Sequence, residues 1–363
     1  MADVRKKDSF HIAGPRHLDR VDWSVAEHRR TIASSLVQSV SILERYEKFD
    51  TSKDVANTWW EFFDFDLVDT LRDPDDSSIF GAIFEYKLYR EYHHSSYKNV
   101  PRYVIAFRGT MVKRRTCYGD FKLDVRVILN RLCVSSRCQV AMEAVENLVA
   151  DWGSTNIWLT GHSLGSAIAL QVGKDMAKRG YFLETYLFNP PFPSTPTERF
   201  KNQRVKDSIR YARSLLTASL AIVVKGYSSY NSDDYDPNFA MLSSWTPHLF
   251  VHPSDPLCSE YIAYFEHREK MLARGASAIE RVAAQNSIVS LVSMAIGKDI
   301  DPTHLIPSAN LIINKSPNLY GFRQVHGMSQ WWEPHQVFEH KLYQPNSEIS
   351  SPAFNIEDEG SLV

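Results

Sequence analysis

One serine lies between two glycines in the stretch WLTGHSLGSAIAL, residues 158–170, after an apolar run and before a run of small residues. Ser163 is either the cap of a following helix or a nucleophile held in a sharp turn between a strand and a helix. A cap does not need Gly161 and Gly165, whereas a strained turn that exposes the hydroxyl does. The pattern favours a nucleophilic Ser163 and gives His162 no chemical role.

A serine hydroxyl reacts at neutral pH only when a base removes its proton, and a carboxylate usually orients that base. After such a strand-turn-helix serine, the acid and then the histidine follow along the chain. Asp255 is the best candidate acid because it lies in PSDP, directly after the apolar run HLFVH, although an ordinary turn residue is the alternative. Three acids with no strand before them are interpreted as solvated turn residues: Asp233, Asp234 and Asp236.

The candidate bases are the histidines that follow Asp255: His267, His304, His326, His335 and His340. His326 is preferred because Gly327 permits a tight turn and two tryptophans follow closely. His335, in WEPHQVF, is the alternative base. His267 falls inside a helical pattern, and the remaining two lack comparable context.

Acyl transfer also needs donors where the carbonyl oxygen becomes negative. The amide of Leu164, directly after the serine, is the first expected donor. The second is expected at the end of an early strand, in FRGT, where Thr110 offers both an amide and a hydroxyl. An ordinary strand-to-loop turn is the alternative for residues 108–110.

Alternating strands and helices are expected to position these residues. Apolar residues at Ile32, Leu36, Val40 and Leu43 predict a helix within about 22–49. Further helices are predicted over 139–150 and 163–180, and strands over 79–89, 102–109, 156–160, 184–189 and 248–252. This alternation around Ser163 predicts an α/β fold with a mostly parallel sheet.

The bulk composition excludes several classes of protein. The 363 residues are 44% hydrophobic and 23% charged with a net charge of −2, so neither disorder nor attraction to nucleic acid is expected. Four scattered cysteines indicate free thiols rather than a disulfide framework or a metal site. The N-terminus has no apolar signal, and the longest apolar run, 215–224, is far shorter than the roughly 18 residues of a membrane span, so a cytoplasmic protein is expected.

The expected organisation is one domain over 1–344, with helical insertions at about 197–225 and 259–297, and a disordered acidic tail over 345–363. FRGT, GHSLG, SDP and HGMSQWW, in that order, resemble the class 3, or fungal-type, lipase family of α/β-hydrolases from about Ile79 to Trp332. The late segment is similar to a plant group labelled GDSL esterase or lipase, although no GDSL string occurs.

The resemblance implies an α/β-hydrolase fold and hydrolysis of carboxylic esters, often acylglycerols, without a metal or organic cofactor. It makes Ser163, Asp255 and His326 the triad, with Thr110 and Leu164 as the oxyanion hole. Fungal relatives carry an amphipathic lid after the oxyanion residue, where this chain has Lys113, Arg114 and Arg115, so interfacial activation is not expected. A lipase-like binding or scaffold protein and an acyltransferase using the same residues are the competing hypotheses.

Overall fold

In the part of the chain that the structure describes, eight strands form one sheet, and their spatial order follows their order in the chain. The computed structural model describes residues 5–47, 55–89, 99–110, 135–192, 237–273, 304–317, 319 and 321–345. Its strands are β1 (Phe65–Arg72), β2 (Ile79–Tyr86), β3 (Tyr103–Phe107), β4 (Ile157–His162), β5 (Glu184–Phe188), β6 (His248–Val251), β7 (Ala309–Asn314) and β8 (Phe338–Tyr343).

The centre of the sheet is parallel and both of its edges are antiparallel. Strands β3 to β7 pair in parallel, whereas β1 and β2 pair antiparallel at one edge and β8 at the other. The parallel strands are buried along almost their whole length, as expected where helices cover both faces. The predicted α/β class and mostly parallel sheet are confirmed.

Helices lie on both faces of the sheet. Within the described ranges they are α1 (Phe10–Ala13), α2 (Ala26–Tyr46), α3 (Thr58–Glu61), α4 (Ser136–Trp152), α5 (Leu164–Lys178), α6 (Pro237–Ser244), α7 (Glu260–Ala273) and α8 (Phe322–Val325), with short 3-10 turns at Lys6–Asp8, Ser154–Asn156 and Ser329–Trp331. None of these helices has the length and apolar character needed to cross a membrane.

Most predicted elements that fall in the described ranges are found there. The four periodic apolar residues of α2 are all buried, and α5 occupies the predicted range 163–180. Helix α7 is the beginning of the predicted insertion at 259–297; its remainder, the insertion at 197–225 and residues 346–363 lie outside the described residues. Strands β1, β7 and β8 were not predicted.

Among the described residues, a hydrophobic core lies on each face of the sheet, and alternate residues of β4 contribute to the two cores. Trp158 packs in the core under α2, whereas Ile157 and Leu159 pack in the core formed with α4 and α5. The Thr160 hydroxyl donates a hydrogen bond to the Ala33 carbonyl of α2 (3.5 Å). The strand that leads to Ser163 is therefore held from both sides.

The N-terminal segment is built into the core under α2. The Asp8 carboxylate is fully buried and pairs with Arg45 Nη1 (2.5 Å), and it also accepts a hydrogen bond from the Tyr46 hydroxyl (3.1 Å). The indole of Trp332, from the far end of the chain, donates to the Ala13 carbonyl (2.8 Å). Arg30 Nε donates to the Trp331 carbonyl (2.9 Å), which gives a second link between the two ends.

Candidate active site

Ser163 lies in a sharp turn between β4 and α5. Its backbone, at φ 53° and ψ −121°, is in a region that non-glycine residues rarely adopt. The Ser163 amide donates to the Phe188 carbonyl at the end of β5 (2.9 Å), which ties the turn to the neighbouring strand. This is the strained strand-turn-helix geometry expected from the sequence.

The two flanking glycines allow backbone segments to approach more closely than a side chain would permit. A Cβ atom at Gly161 would lie 2.4 Å from the Gly165 carbonyl oxygen, and one at Gly165 would lie 2.3 Å from the Phe107 carbonyl oxygen. A Cβ at Gly109 would lie 3.1 Å from Ser163 Cβ. The end of β3 therefore packs directly against the serine turn.

The Ser163 side chain does not cap the helix that it precedes. Ser163 occupies the N-cap position of α5, but its hydroxyl makes no capping hydrogen bond, and Oγ is a buried atom with no hydrogen-bond partner within the described structure. The prediction that the hydroxyl is exposed is wrong: Ser163 is only 2% exposed, because the turn packs against Gly109 at the end of β3. The alternative of a serine that only caps a helix is also wrong.

Asp255 lies in the loop after β6 and is fully buried. One oxygen, Oδ1, accepts a hydrogen bond from the Leu257 amide (3.1 Å), and Oδ2 lies 2.7 Å from Nδ1 of His326. Because a carboxylate only accepts hydrogen bonds, Nδ1 carries the proton of this pair. Burial alone would raise the pKa of Asp255, but His326 and the hydrogen bonds to the carboxylate outweigh burial, so its pKa lies below the ordinary value.

His326 follows α8, and its ring and backbone are both held. Its amide donates to the Phe322 carbonyl (2.9 Å), and its ring stacks on the Phe322 ring at 4.9 Å between centroids and 9° between planes. The ring of His162, the residue before the serine, lies 4.9 Å from the His326 ring. The structure thus brings Asp255 and His326 into contact with each other beside the serine turn.

His162 is a site residue to which sequence reasoning gave no role. Its Nε2 donates a hydrogen bond to the His326 carbonyl (2.8 Å). Burial, with the nearby His326 ring, lowers the pKa of His162 from 6.5 to about 3, so the ring is neutral at neutral pH. The second position of GHSLG, which His162 occupies, varies in the general motif, so nothing in the sequence indicated this contact.

Asn189 is a second residue that sequence reasoning missed, although it directly follows β5. It is fully buried, its φ is 48°, and its amide N–H donates to the Phe250 carbonyl (2.8 Å). Its side-chain Nδ2 donates to Asp255 Oδ2 (2.7 Å) and to the Val325 carbonyl (3.0 Å). Its Oδ1 accepts from Trp331 Nε1 (2.8 Å). Asn189 therefore contacts both the acid and the turn that carries His326.

Gln330 holds the other side of the His326 turn and was also missed. Its fully buried Nε2 donates to the carbonyls of Val325 (2.7 Å) and Gly327 (2.9 Å). The side-chain Nδ2 of Asn314, at the end of β7, donates to Gln330 Oε1 (3.2 Å). This bond fixes the orientation of the Gln330 side chain. Side chains from the ends of β4, β5 and β7 thus reach the same turn, directly or through Gln330.

The other candidate residues lie elsewhere or are only partly placed. His335, the alternative base, is exposed with φ 67°, whereas Asp255 contacts His326. His267 lies in α7, His304 packs on Phe192, and His340 is exposed on β8. The three acids interpreted as solvated turn residues and the lid position lie outside the described residues: Asp233, Asp234, Asp236 and 113–115.

One expected oxyanion donor directly follows Ser163 in the sequence, and the other follows a residue that lies against Ser163. Leu164 is the first residue of α5, where backbone amides have no acceptor inside the helix. Thr110 is exposed and follows Gly109, which lies against Ser163, and it is the last residue described before 111–134. No group of three histidine, cysteine or acidic side chains in the described ranges is arranged to hold a metal ion.

Comparison of the sequence with known proteins assigns the chain to a family. A family model described as lipase (class 3) matches residues 99–206, which include the serine turn. An Arabidopsis thaliana protein named as a GDSL esterase/lipase is 43% identical over 352 residues, which cover 94% of this chain and 99% of that protein. The chain belongs to the class 3 lipase family. This class 3 lipase is accordingly a carboxylic ester hydrolase, as the resemblance implied.

Solved structures similar to this class 3 lipase include a lipase from Rhizopus microsporus var. chinensis. That protein is 16% identical with a TM-score of 0.32, over 64% of this chain and 69% of the other. A ferulic acid esterase is 15% identical with a TM-score of 0.29, over 59% of this chain and 88% of the other.

Proposed function

We propose that this class 3 lipase hydrolyses carboxylic esters through an acyl-enzyme formed on Ser163, with His326 as the base and Asp255 as the group that orients it. The observation that carries the proposal is the 2.7 Å hydrogen bond between His326 Nδ1 and Asp255 Oδ2 beside a strained serine turn. The bond leaves Nε2 as the ring nitrogen that takes the serine proton.

The proposed reaction begins with the Ser163 hydroxyl. Nε2 of His326 takes the hydroxyl proton while Oγ forms a bond to the ester carbonyl carbon, and the carbonyl oxygen becomes an oxyanion. The Leu164 amide and Thr110 are the proposed donors to this oxyanion. Asp255, ionised because its pKa is low, stabilises the imidazolium that forms. The imidazolium then protonates the leaving alcohol, and the acyl group stays on Ser163.

Deacylation reverses these roles with water. His326 takes a proton from a water molecule, the resulting hydroxide attacks the acyl-enzyme, and the acid leaves as Oγ recovers its proton. An alcohol in place of water gives acyl transfer with the same residues, so products with and without an added alcohol separate the two reactions. The proposed substrates are acyl esters, lipids among them, because the Arabidopsis relative is named as an esterase/lipase.

The test is covalent labelling of the purified protein with a fluorophosphonate, followed by intact-mass measurement. We expect one adduct in the parent protein and none in Ser163→Ala. His326→Ala should also lose labelling, whereas the matched variant His335→Ala, in an exposed turn, should label at the parent rate. An ester panel graded by acyl length then defines the substrate.

Two outcomes contradict the proposal. A well-folded parent protein that gains no adduct would favour the lipase-like binding protein over the enzyme described above. Labelling that survives in His326→Ala and disappears in His335→Ala would transfer the role of base to His335.

A further inference from the structure

Each polar atom of the Asn189 side chain has a partner, and the partners determine its orientation. Trp331 Nε1 can only donate, so the atom facing it is Oδ1. Asp255 Oδ2 and the Val325 carbonyl can only accept, so both face Nδ2. Both N–H bonds and the oxygen are therefore used, and the amide cannot turn over without losing all three hydrogen bonds.

The Asn189 amide joins the acid to the segment that carries the base. Asp255 Oδ2 lies 2.7 Å from Asn189 Nδ2 and 2.7 Å from His326 Nδ1, so this oxygen is fixed between the two. The second N–H of Asn189 holds the carbonyl of Val325, the residue before His326. Hydrogen bonds to an ionised oxygen are shorter and stronger than neutral ones, so Asn189 strongly restrains rotation of the carboxylate.

We propose that Asn189 is a positioning residue for ester hydrolysis: its amide holds Asp255 Oδ2 and the His326 turn in the arrangement in which the carboxylate orients the imidazole. This inference rests on the proposed function, because it assigns Asn189 a role in the reaction of Ser163, His326 and Asp255. Asn189 acts through these residues and not on the ester itself.

The backbone of Asn189 explains why few other residues can replace it. Its φ of 48° lies in the left-handed region, which glycine adopts freely and asparagine and aspartate tolerate. Glycine has no side chain to reach Asp255. Aspartate would place a second carboxylate against Asp255 Oδ2, and two adjacent carboxylates cannot both ionise readily. Asparagine combines the required backbone with the required donor.

The test compares Asn189→Gly and Asn189→Asp with the parent in kcat, KM and the pH profile of kcat/KM on an ester that the parent hydrolyses. Asn189→Gly removes the amide without straining the backbone. Asn310→Ala is the matched control, because Asn310 hydrogen-bonds His248 at the opposite end of the sheet. Titratable side chains around this part of the site include Asp255 and His162 at His326, and Cys258, whose thiol donates to Asp255 Oδ2 (3.3 Å). The buried imidazole of His252 also lies near the Asp255 carboxylate.

We expect kcat/KM of Asn189→Gly to fall about ten- to a hundredfold, mostly through kcat, the effect of losing a hydrogen bond to a charged group. Without the Asn189 donor, more of the negative charge of Asp255 is available to the imidazolium, so the acidic limb of the profile should move to higher pH. The added carboxylate of Asn189→Asp should move it further. A loss of structure alone would lower kcat/KM without moving this limb, and Asn310→Ala should change neither.

An Asn189→Gly variant with the kcat/KM and acidic limb of the parent overturns the inference, provided that Ser163→Ala is inactive. If Ser163→Ala is as active as the parent, the proposed function fails and this inference fails with it. Should Asn189→Gly not fold, Trp331→Phe provides the second test, because it removes the donor that orients the Asn189 amide. Unchanged kcat/KM and an unchanged limb in that variant also overturn the inference.

Discussion

At the scale of single residues, the site depends on side chains that hold the backbone of the His326 turn. His162 reaches the His326 carbonyl across 164 positions of sequence, and Asn189 reaches the Val325 carbonyl across 136. A motif and a fixed chain order made Ser163, Asp255 and His326 the candidate residues, and the structure brings Asp255 and His326 into contact. No motif links a side chain to a distant carbonyl, so His162, Asn189 and Gln330 could not be identified from the sequence.

His162 should make the stability of the folded protein depend on pH. Its pKa is about 3 in the folded chain but 6.5 as the ordinary value, so between these values the unfolded chain binds more protons. The free energy of unfolding should therefore fall as pH drops from about 6.5 towards 3. At pH 5 this loss should be about 1 to 2 kcal/mol, since His162 is half-buried and solvent reduces the effect.

The variant His162→Gln keeps a donor but cannot become charged. Urea unfolding between pH 7 and 4.5 should show a smaller loss of unfolding free energy with falling pH in His162→Gln than in the parent. If the unfolding free energies of the two proteins depend on pH in the same way, the pKa of His162 is not lowered in the folded protein.

At the scale of elements, the serine turn depends on the approach of α5 to the end of β3. A Cβ on Gly165 would lie 2.3 Å from the Phe107 carbonyl oxygen and 2.5 Å from that of Arg108, and backbone atoms cannot move aside easily. Gly165→Ala should therefore push α5 away from β3, lower the unfolding free energy by about 2 to 3 kcal/mol, and slow fluorophosphonate labelling at least tenfold.

The control for this prediction is Gly153→Ala, between α4 and β4. Gly153 has φ 78°, but a Cβ atom added to it would meet no other atom within 4 Å, so its substitution introduces backbone strain without a collision. Thermal unfolding should show a loss of about 1 to 3 kcal/mol, whereas the labelling rate of the folded protein should not change. Equal labelling rates in both variants would show that the close approach at Gly165 is unnecessary for reaction.

Two of the three strands that the sequence did not predict, β1 and β8, are the edges of the sheet. The strands around Ser163 are apolar runs because both of their faces are buried. In β1 and β8, by contrast, most residues are exposed or half-buried, so their pairing depends on backbone hydrogen bonds that leave no apolar pattern. Strand β7, the third, is buried and lies inside the sheet.

At the scale of the whole molecule, the N-terminal segment and the His326 turn belong to the same packed unit. Ala13 and Arg30 hydrogen-bond Trp332 and Trp331, and Asp8 anchors the first residues through Arg45. We propose on this basis that residues 1–344 form one domain. Weakening the N-terminal anchor should then destabilise the entire structure rather than release one end.

Asp8→Asn tests this cooperative unit. It keeps the shape of the side chain but removes the charge that faces Arg45, and breaking a buried ion pair should cost about 2 to 3 kcal/mol, since Arg45 is partly accessible. Arg72→Gln, which breaks the more exposed pair with Glu47, should cost less than about 1 kcal/mol. Urea unfolding followed by tryptophan fluorescence and far-UV circular dichroism should give one shared transition; separate transitions in Asp8→Asn would contradict the single domain.

The pairing of the first helices with the last turn also has a consequence for synthesis. Ser163 leaves the ribosome 163 residues before His326, which at about 5 to 20 residues per second is a delay of roughly ten to thirty seconds. During that interval the proposed nucleophile has been synthesised but its base has not. Trp331 and Trp332, which hydrogen-bond Arg30 and Ala13 in the folded protein, have not been synthesised either. A chain that terminates between residues 165 and 326 contains the complete GHSLG motif but lacks the proposed base, and it should therefore have no esterase activity.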